Sequence, residues 1–214
     1  MRQWLVRIVA LVFACGSAAT WAAVGDLVEG QDYSVLSPAQ ATSNPSKIVV
    51  TEFFSYECPH CFAFFPLVSS WAAKQPKDVV FERVPVSFGR SSWAAIAQAF
   101  YALQALDKVD KLDSAIFNAI HVQNVKLVDE ASITDWMVKQ GISKQEFSSA
   151  YNSFSVKSNM ARAEQAVRSN QIQGVPTLVV DGKYVVLSGT KDHEGQLVVA
   201  DKLIAKVRAD KAHK

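Results

Sequence analysis

Apolar and polar positions along the chain predict short β-strands that alternate with helices. The run Ile48–Phe54 is almost continuously apolar, as in a central strand covered on both faces. A second β-rich run covers Val79–Val86, and the segment between them, from about Cys58 to Lys74, has a helix-compatible composition. Strand, helix and strand in this order predict a βαβ unit with parallel strands and a right-handed crossover.

The middle of the chain changes to helical spacing. Between Phe88 and about Ala163, aromatic and aliphatic residues recur three and four positions apart, and no strand pattern interrupts them. Ser143 and Glu146 have the spacing of a capping box at the start of a helix. The segment therefore predicts a compact helical block, in which Trp, Phe and Tyr residues form the core rather than a cofactor site.

After this block the pattern returns to strands. A helix over about Met160–Asn170 leads to Gly174–Thr177 and then to two β-rich runs. Asp181-Gly182 separates these runs, and this dipeptide is a strong signal for a type I′ hairpin turn. A last helix is expected over about Gly195–Ala209, and a short first strand near Asp32–Leu36. The pattern as a whole predicts an α/β protein.

The first 22 residues have the pattern of a secretory signal peptide. Arg2 and Arg7 give the positive start, and Ile8–Ala14 forms a short apolar core. Thr20–Ala22 provides small residues for cleavage after Ala22, and cleavage after Ala19 is an alternative. The apolar run is shorter than the roughly 20 residues of a membrane-spanning helix. We therefore expect residues 1–22 to be removed on export.

A lipid anchor at Cys15 is the other way in which this segment could be processed. The sequence before Cys15 matches a bacterial lipid-attachment motif only loosely, because Phe13 is bulky for its place. We therefore do not expect this anchor.

The charge of the chain bears on possible nucleic-acid partners. The net charge is +2 over 214 residues, and without Arg2 and Arg7 the counts are 20 basic and 20 acidic residues. A nearly neutral chain gives no reason to expect nucleic acid as a partner.

Cleavage of the signal segment leaves Cys58 and Cys61, which stand at the start of the first predicted helix. A helix start offers free N–H groups and the positive end of the macrodipole, and both stabilise a thiolate. We expect Cys58 to be the exposed, attacking sulfur and Cys61, one turn further in, to be the resolving sulfur. His60 favours the Cys58 thiolate further when it is protonated or donates a hydrogen bond.

Several kinds of site can contain Cys58-Pro59-His60-Cys61. A structural zinc site needs four ligands, and none of the four histidines has ligand spacing to the cysteines. A c-type haem needs His directly after the second cysteine, where this chain has Phe62. An inert disulfide would close too short a loop to stabilise a protein of this size. Redox exchange is therefore favoured, and no metal or cofactor is expected.

The chain resembles the DsbA family of bacterial periplasmic thiol–disulfide oxidants. The resemblance rests on Glu52–Ser55 before the Cys-Pro-His-Cys motif, on the helical block, and on Gly174-Val175-Pro176 before a hairpin. It implies a thioredoxin-like fold with an inserted all-helical subdomain. Residues 23–87 and 164–214 would form the thioredoxin-like domain, and residues 88–163 the insertion.

The resemblance also implies an activity and a location. The Cys58–Cys61 disulfide would be donated, through a mixed disulfide, to cysteine pairs of unfolded or newly secreted proteins in the periplasm of a Gram-negative bacterium. A membrane quinone reductase of the DsbB type would re-oxidise the pair. Pro176 would be cis and face the cysteines, and Val175 would offer backbone atoms to an extended substrate segment. Within the motif, Pro59 and His60 would set the redox potential.

Two alternatives to an oxidant stay open at this point. One is a disulfide isomerase or reductant, and the other is a non-catalytic periplasmic chaperone or binding module that uses the groove around Pro176. Isomerases and reductants of this kind usually carry a dimerisation domain, for which we see no room before Asp26, and this favours the oxidant. We also expect a monomer.

Glu52 lies inside an otherwise apolar strand, so we expect it to be buried near the cysteines. A buried carboxylate needs a partner or a proton, and Arg83 on the neighbouring strand is the candidate partner. The functional interpretation is a proton relay for Cys61, and the alternative is a purely structural or exposed ion pair. We expect His121 and His193 to be surface residues.

Overall fold

The computed structural model describes residues 27–187 and 192–212, and the predicted signal segment with Cys15 lies outside them. No helix in this described part is both long and apolar enough to cross a membrane. The strands are β1 (Tyr33–Val35), β2 (Ile48–Phe54), β3 (Val79–Pro85), β4 (Thr177–Val180) and β5 (Tyr184–Val186). The helices are α1 (Pro59–Ala72), α2 (Ser91–Ala105), α3 (Val109–His121), α4 (Glu130–Lys139), α5 (Lys144–Tyr151), α6 (Phe154–Ser169) and α7 (His193–Ala212).

The five strands form one sheet in the order β1-β5-β4-β2-β3. β2 pairs in parallel with β3, from Ile48 opposite Val79 to Phe54 opposite Pro85, and antiparallel with β4. Six of its seven residues are buried, which explains the continuous apolar run in the sequence. The parallel β2–α1–β3 unit predicted from the sequence is confirmed.

Helices cover the sheet with three groups of buried side chains, the smallest of which includes Phe53, Val167 and Val179. α1 and α7 pack on one face, where Phe64 and Val68 meet Leu203 and other residues of α7. The helices between β3 and β4 form a second core that includes both cysteines. The predicted core role is confirmed for Phe117, Trp136, Phe147 and Tyr151, which are buried here, whereas Phe154 is 87 % exposed.

One predicted boundary and one predicted cap differ from the structure. α6 is one continuous helix from Phe154 to Ser169, so the predicted division between residues 163 and 164 falls inside it. The Ser153 side chain begins this helix by accepting a hydrogen bond from the Val156 N–H. Ser143 caps α5 in the same way by accepting from the Glu146 N–H, whereas the reciprocal capping box is found between Asp129 and Ser132 of α4.

The turn between β4 and β5 has the predicted type I′ geometry. Asp181 and Gly182 both have positive φ, 53° and 60°, and Lys183 N donates to the Val180 carbonyl at 3.1 Å. Gly182 is also tied to the preceding loop, because Gln40 N donates to its carbonyl at 2.7 Å. A Cβ atom on Gly182 would lie 2.2 Å from the Gln40 carbonyl oxygen. Glycine is therefore required at this position by conformation and by space.

We expect Gly182→Ala to destabilise the protein more than Gly141→Ala. Both glycines have positive φ, where a side chain costs roughly 1–2 kcal/mol. No heavy atom lies within 4 Å of a Cβ on Gly141, so Gly141→Ala measures the conformational cost alone. Overpacking against Gln40 should add roughly 1–3 kcal/mol in Gly182→Ala. Urea midpoints of the two variants measure this difference, and equal losses would contradict the close approach.

Candidate active site

Cys58 directly precedes α1, at the N-cap position. β2 ends at Phe54, and a turn in which Cys58 N donates to the Ser55 carbonyl at 3.1 Å leads to Pro59. Pro59 suits the first helical position because its φ is already helical and it has no N–H to leave unpaired. No side chain caps this helix. The backbone N–H groups of the first turn are therefore available to the Cys58 sulfur.

The environment of Cys58 stabilises its thiolate. Its pKa is lowered from 9.0 to about 6, first by a hydrogen bond with the Cys61 thiol and then by the backbone N–H groups of Cys61 and His60. Partial burial opposes this effect, and the charge of His60 adds to it. Cys58 thus has the low thiol pKa that makes a cysteine reactive at neutral pH.

Cys61 has the opposite environment. Its side chain has no exposed surface, and burial is the main reason why the pKa of its thiol is raised well above the ordinary value. The hydrogen bond that it donates to Cys58 raises this pKa further. Both cysteines are free in this structure, so the site is in the dithiol state, in which one sulfur favours the thiolate and the other the thiol.

The sequence analysis expected an exposed Cys58, and this expectation is wrong in degree. Cys58 is only 6 % exposed, because the loop before β4 approaches its sulfur. The Sγ atom lies 3.4 Å from the Val175 carbonyl oxygen. The Val175–Pro176 peptide bond is cis, as the sequence resemblance implied, and Ser37–Pro38 is a second cis bond that was not predicted.

An open pocket of about 650 Å³ adjoins the two segments that carry the cysteines and Pro176. Its walls come from α1, from the loop before β4 and from the start of α7. The lining residues are His60, Leu67, Gly174, Val175, Pro176, Asp192, His193, Glu194 and Gln196. The structure therefore brings together the predicted site residues of two distant segments at one concave surface.

His193 and His121 are not simple surface residues, which corrects the sequence prediction. The ring of His193 is half-buried, 5.2 Å from the ring of Phe64 and 6.5 Å from the ring of His60 between centroids. His121 is also half-buried, donates from Nε2 to the Tyr56 carbonyl at 2.8 Å, and stacks on Phe62. Single histidines in helices gave no sequence signal for these contacts.

Glu52 has the predicted partner. Its side chain is buried in β2, and Arg83 Nε on β3 donates to Glu52 Oε2 at 2.8 Å. Burial raises the pKa of Glu52, and the charge of Arg83 opposes that rise. The charge of Glu52 in turn raises the pKa of Cys61. The pair is therefore buried and electrostatically connected to the second cysteine.

Two further residues belong to this charge cluster and were missed by the sequence analysis. Arg83 Nη1 donates to Asp113 Oδ2, and Asp113 Oδ1 accepts a hydrogen bond from the Tyr56 hydroxyl. Asp113 lies three and four positions before Ile116 and Phe117, on the apolar face of α3. A carboxylate on an apolar helix face was the signal that could have identified it.

No group of three or more His, Cys, Asp or Glu side chains in the described residues is arranged to hold a metal ion.

Comparisons with known proteins agree with this geometry. The family model of the DSBA-like thioredoxin domain matches residues 49–196. The chain is 40% identical over 199 residues to the thiol:disulfide interchange protein DsbA of Azotobacter vinelandii, with 92% of each chain covered. It is 38% identical over 206 residues to that of Pseudomonas aeruginosa, with 96% of each chain covered.

Solved structures give the same result. The crystal structure of Pseudomonas aeruginosa DsbA matches with a TM-score of 0.82 at 40% identity, covering 86% of this chain and 96% of that chain. DsbA from Xylella fastidiosa matches with a TM-score of 0.80 at 30% identity, covering 86% of this chain and 98% of that chain. With its thioredoxin-like fold and reactive cysteine pair, the chain belongs to the DSBA-like thioredoxin domain family and is a protein-disulfide oxidoreductase.

Proposed function

We propose that the chain works as an oxidant, which donates a Cys58–Cys61 disulfide to cysteine pairs of secreted proteins. The proposal that the pair oxidises its substrates rests on the lowered pKa of Cys58, which is about 6 beside a buried and protonated Cys61. Stabilising the thiolate stabilises the reduced form of the pair. The disulfide is then the less favoured form and is readily transferred to other thiols.

The reaction proceeds by two thiol–disulfide exchanges. A substrate thiolate attacks the Cys58 sulfur, the Cys58–Cys61 bond breaks, and Cys61 leaves with the electron pair and takes up a proton. The second substrate thiolate then attacks the substrate sulfur of the mixed disulfide, and Cys58 leaves as a thiolate. The substrate loses two electrons, and the pair gains them. A low pKa makes Cys58 a good leaving group in the second step.

The neighbours of the two sulfurs have distinct roles in this proposal. Pro59 and His60 set the redox potential of the pair, Pro59 by starting the helix and His60 through its N–H group and charge. Val175 and Pro176 hold an extended substrate segment beside Cys58, since the Val175 carbonyl is already 3.4 Å from the sulfur. The open pocket next to them offers room for substrate side chains.

Glu52 acts as the proton relay of Cys61, with Arg83 as its partner. A thiolate formed at a fully buried position is costly unless a proton reaches it. Glu52 has no exposed surface, and its charge acts on Cys61. A protonated Glu52 can supply the proton when the disulfide opens, and an ionised Glu52 can accept it when the disulfide forms again.

The proposal includes the setting of the reaction. The protein acts in the periplasm of a Gram-negative bacterium after removal of residues 1–22, works as a monomer, and is re-oxidised by a membrane quinone reductase of the DsbB type. Residues 23–87 and 164–214 form its thioredoxin-like domain, and residues 88–163 its helical insertion. The shared core of the cysteines and helices α2–α6 supports an insertion that covers the buried sulfur.

The activity itself is tested with a reduced peptide that contains two cysteines. The oxidised wild-type protein should convert it to the disulfide form, and Cys58→Ser should not do so above the uncatalysed background. Cys61→Ser also has no disulfide to donate and should leave the reduced peptide unchanged. When it is mixed with the oxidised peptide instead, its Cys58 thiolate should open the peptide disulfide and form a mixed disulfide that no Cys61 thiol can resolve. Mass spectrometry of acid-quenched samples distinguishes these products. Oxidation by Cys58→Ser at the wild-type rate would refute the assigned role of Cys58.

The thiol titration should show one early and one late step. We expect Cys58 to ionise near pH 6 and Cys61 to stay protonated throughout the range in which ordinary thiols ionise. Far-ultraviolet thiolate absorbance of the reduced protein measures this. Cys58→Ser should lose the early step, and Cys61→Ala should move it upward because the largest stabilising hydrogen bond is gone. A wild-type midpoint near the free value of about 8.5 would contradict the oxidant proposal.

The stability of the reduced protein relative to the oxidised one should rise with pH between about 6 and about 9. The pKa of Cys58 is about 6 in the folded dithiol state and ordinarily 9.0. The folded thiolate therefore contributes fully above the ordinary pKa, and this contribution is lost as the pH falls through the folded pKa. Its full size is roughly 4 kcal/mol at about 1.4 kcal/mol per pH unit.

Urea midpoints with and without reductant, measured across this range, test the prediction. Reduced Cys58→Ala is the control, because its stability should lack this pH dependence. A reduced-minus-oxidised difference that does not change with pH would mean that the Cys58 thiolate is not stabilised by the fold.

A further inference from the structure

Arg83 is shared by two buried carboxylates. Its Nε donates to Glu52 Oε2 at 2.8 Å, and its Nη1 donates to Asp113 Oδ2. Glu52 has no exposed surface, and the side chain of Asp113 is 10% exposed. The guanidinium lies over the ring of Phe54, 3.7 Å from its centroid. One positive charge thus faces two carboxylates in an apolar surrounding, and two negative charges there would leave one uncompensated.

The two carboxylates are not equally suited to carry the negative charge. Asp113 accepts from both Arg83 and the Tyr56 hydroxyl, and it lines an opening of about 530 Å³ between β3 and helices α1, α2 and α3. Glu52 accepts from Arg83 alone, and its Oε1 is buried without a hydrogen-bond partner. A carboxylate with an unpaired buried oxygen is costly as an anion and less costly with a proton.

We propose that Asp113 is a positioning residue for the disulfide chemistry. By sharing Arg83 with Glu52 and holding the negative charge itself, it leaves Glu52 able to carry a proton at neutral pH. This inference rests on the proposed role of Glu52 as the proton relay of Cys61, and it identifies Asp113 as the residue that keeps Glu52 protonated.

The proton balance at the buried sulfur follows from this arrangement. When a substrate thiolate opens the disulfide, Cys61 leaves as a thiolate, takes the proton of Glu52 and becomes a thiol, while Glu52 becomes a carboxylate. The reverse transfer accompanies formation of the disulfide. Without the negative charge of Asp113, Arg83 would hold Glu52 as a carboxylate, and Cys61 would have to remain a buried thiolate.

Ionisable groups from each neighbouring element act on this cluster. Glu52 stands on β2, Arg83 on β3, Tyr56 in the turn before α1, and Cys61 on α1. On α3, burial raises the pKa of Asp113, the charge of Arg83 and the hydrogen bond from Tyr56 lower it, and Asp110 raises it again. His121, at the end of α3, contacts the backbone of Tyr56. Burial raises the pKa of Glu52. The charge of Arg83 lowers it, and the charge of Asp113 raises it.

The direct test is the titration of Glu52 in Asp113→Asn. Glutamate labelled with ¹³C at the δ carbon reports the ionisation of each side chain by NMR, and Glu52→Gln assigns the Glu52 signal. In Asp113→Asn we expect the midpoint of Glu52 to fall by about one pH unit or more, as for a carboxylate beside an arginine. The ratio of protonated to ionised Glu52 at a given pH would then fall about tenfold.

Asp110→Asn is the matched control. It removes the same charge from the same helix, but Asp110 is exposed and makes no hydrogen bond to Arg83 among the contacts described. Its effect on Glu52 should be several-fold smaller. Tyr56→Phe is a second variant, which remains informative if Asp113→Asn folds poorly. It removes one donor from Asp113, so the midpoint of Glu52 should fall by a smaller amount in the same direction.

Kinetics connect the titration to the reaction. The rate at which the oxidised protein forms a mixed disulfide with a one-cysteine peptide is measured against pH. Asp113→Asn should shift this profile to lower pH by the same amount as the Glu52 midpoint. An unmoved Glu52 midpoint in Asp113→Asn, or an equal shift in Asp110→Asn, would overturn the inference about Asp113.

A failure of the underlying proposal has a different signature. If Glu52→Gln keeps the wild-type rate profile, Glu52 is not the relay of Cys61, whatever the NMR titration shows for Asp113. If Glu52→Gln changes the profile and Asp113→Asn leaves the Glu52 midpoint in place, the relay stands and only the inference about Asp113 fails.

Discussion

The chemistry of this protein depends on one hydrogen bond between two unlike sulfurs. Cys61 is buried, so its thiol stays protonated and donates a hydrogen bond to the Cys58 sulfur. This hydrogen bond is the largest cause of the lowered pKa of Cys58. The N–H groups at the start of α1 add to the same effect. Burial of one sulfur therefore activates the other, and the position of β2 fixes both, because the strand ends just before the turn that leads to Cys58.

The same strand places a carboxylate where the apolar sheet would otherwise exclude one. A buried ion pair costs desolvation energy that its attraction repays only with good geometry and further hydrogen bonds. Here the register of β2 and β3 sets Glu52 opposite Arg83, and the stack on Phe54 holds the guanidinium. Within the described residues, one oxygen of Glu52 and one nitrogen of Arg83 nevertheless have no hydrogen-bond partner. The proton relay proposed for Glu52 would give such an incomplete network a role that stability alone does not.

The sequence predicted much of the fold because its signals are local. The apolar run of β2, the Asp181-Gly182 turn and the cysteines at a helix start each follow from neighbouring residues. The predicted Glu52–Arg83 pair needed only the parallel pairing of two strands. Asp113, Tyr56 and His193 were missed because their roles arise from contacts between distant segments. The near burial of Cys58 was missed for the same reason, since the Val175 carbonyl that covers it comes from more than a hundred residues away.

The helices between β3 and β4 contribute to the chemistry as well as to the core. They help to bury Cys61, and without burial the thiol of Cys61 would lose the main cause of its raised pKa. α3 also supplies Asp113, which competes with Glu52 for Arg83, and α3 ends at His121, which binds the turn before the cysteines. A thioredoxin-like sheet with α1 can place two cysteines at a helix start. The helices between β3 and β4 add the low-dielectric cover and the second carboxylate, which make the two sulfurs, and the two acids behind them, unequal.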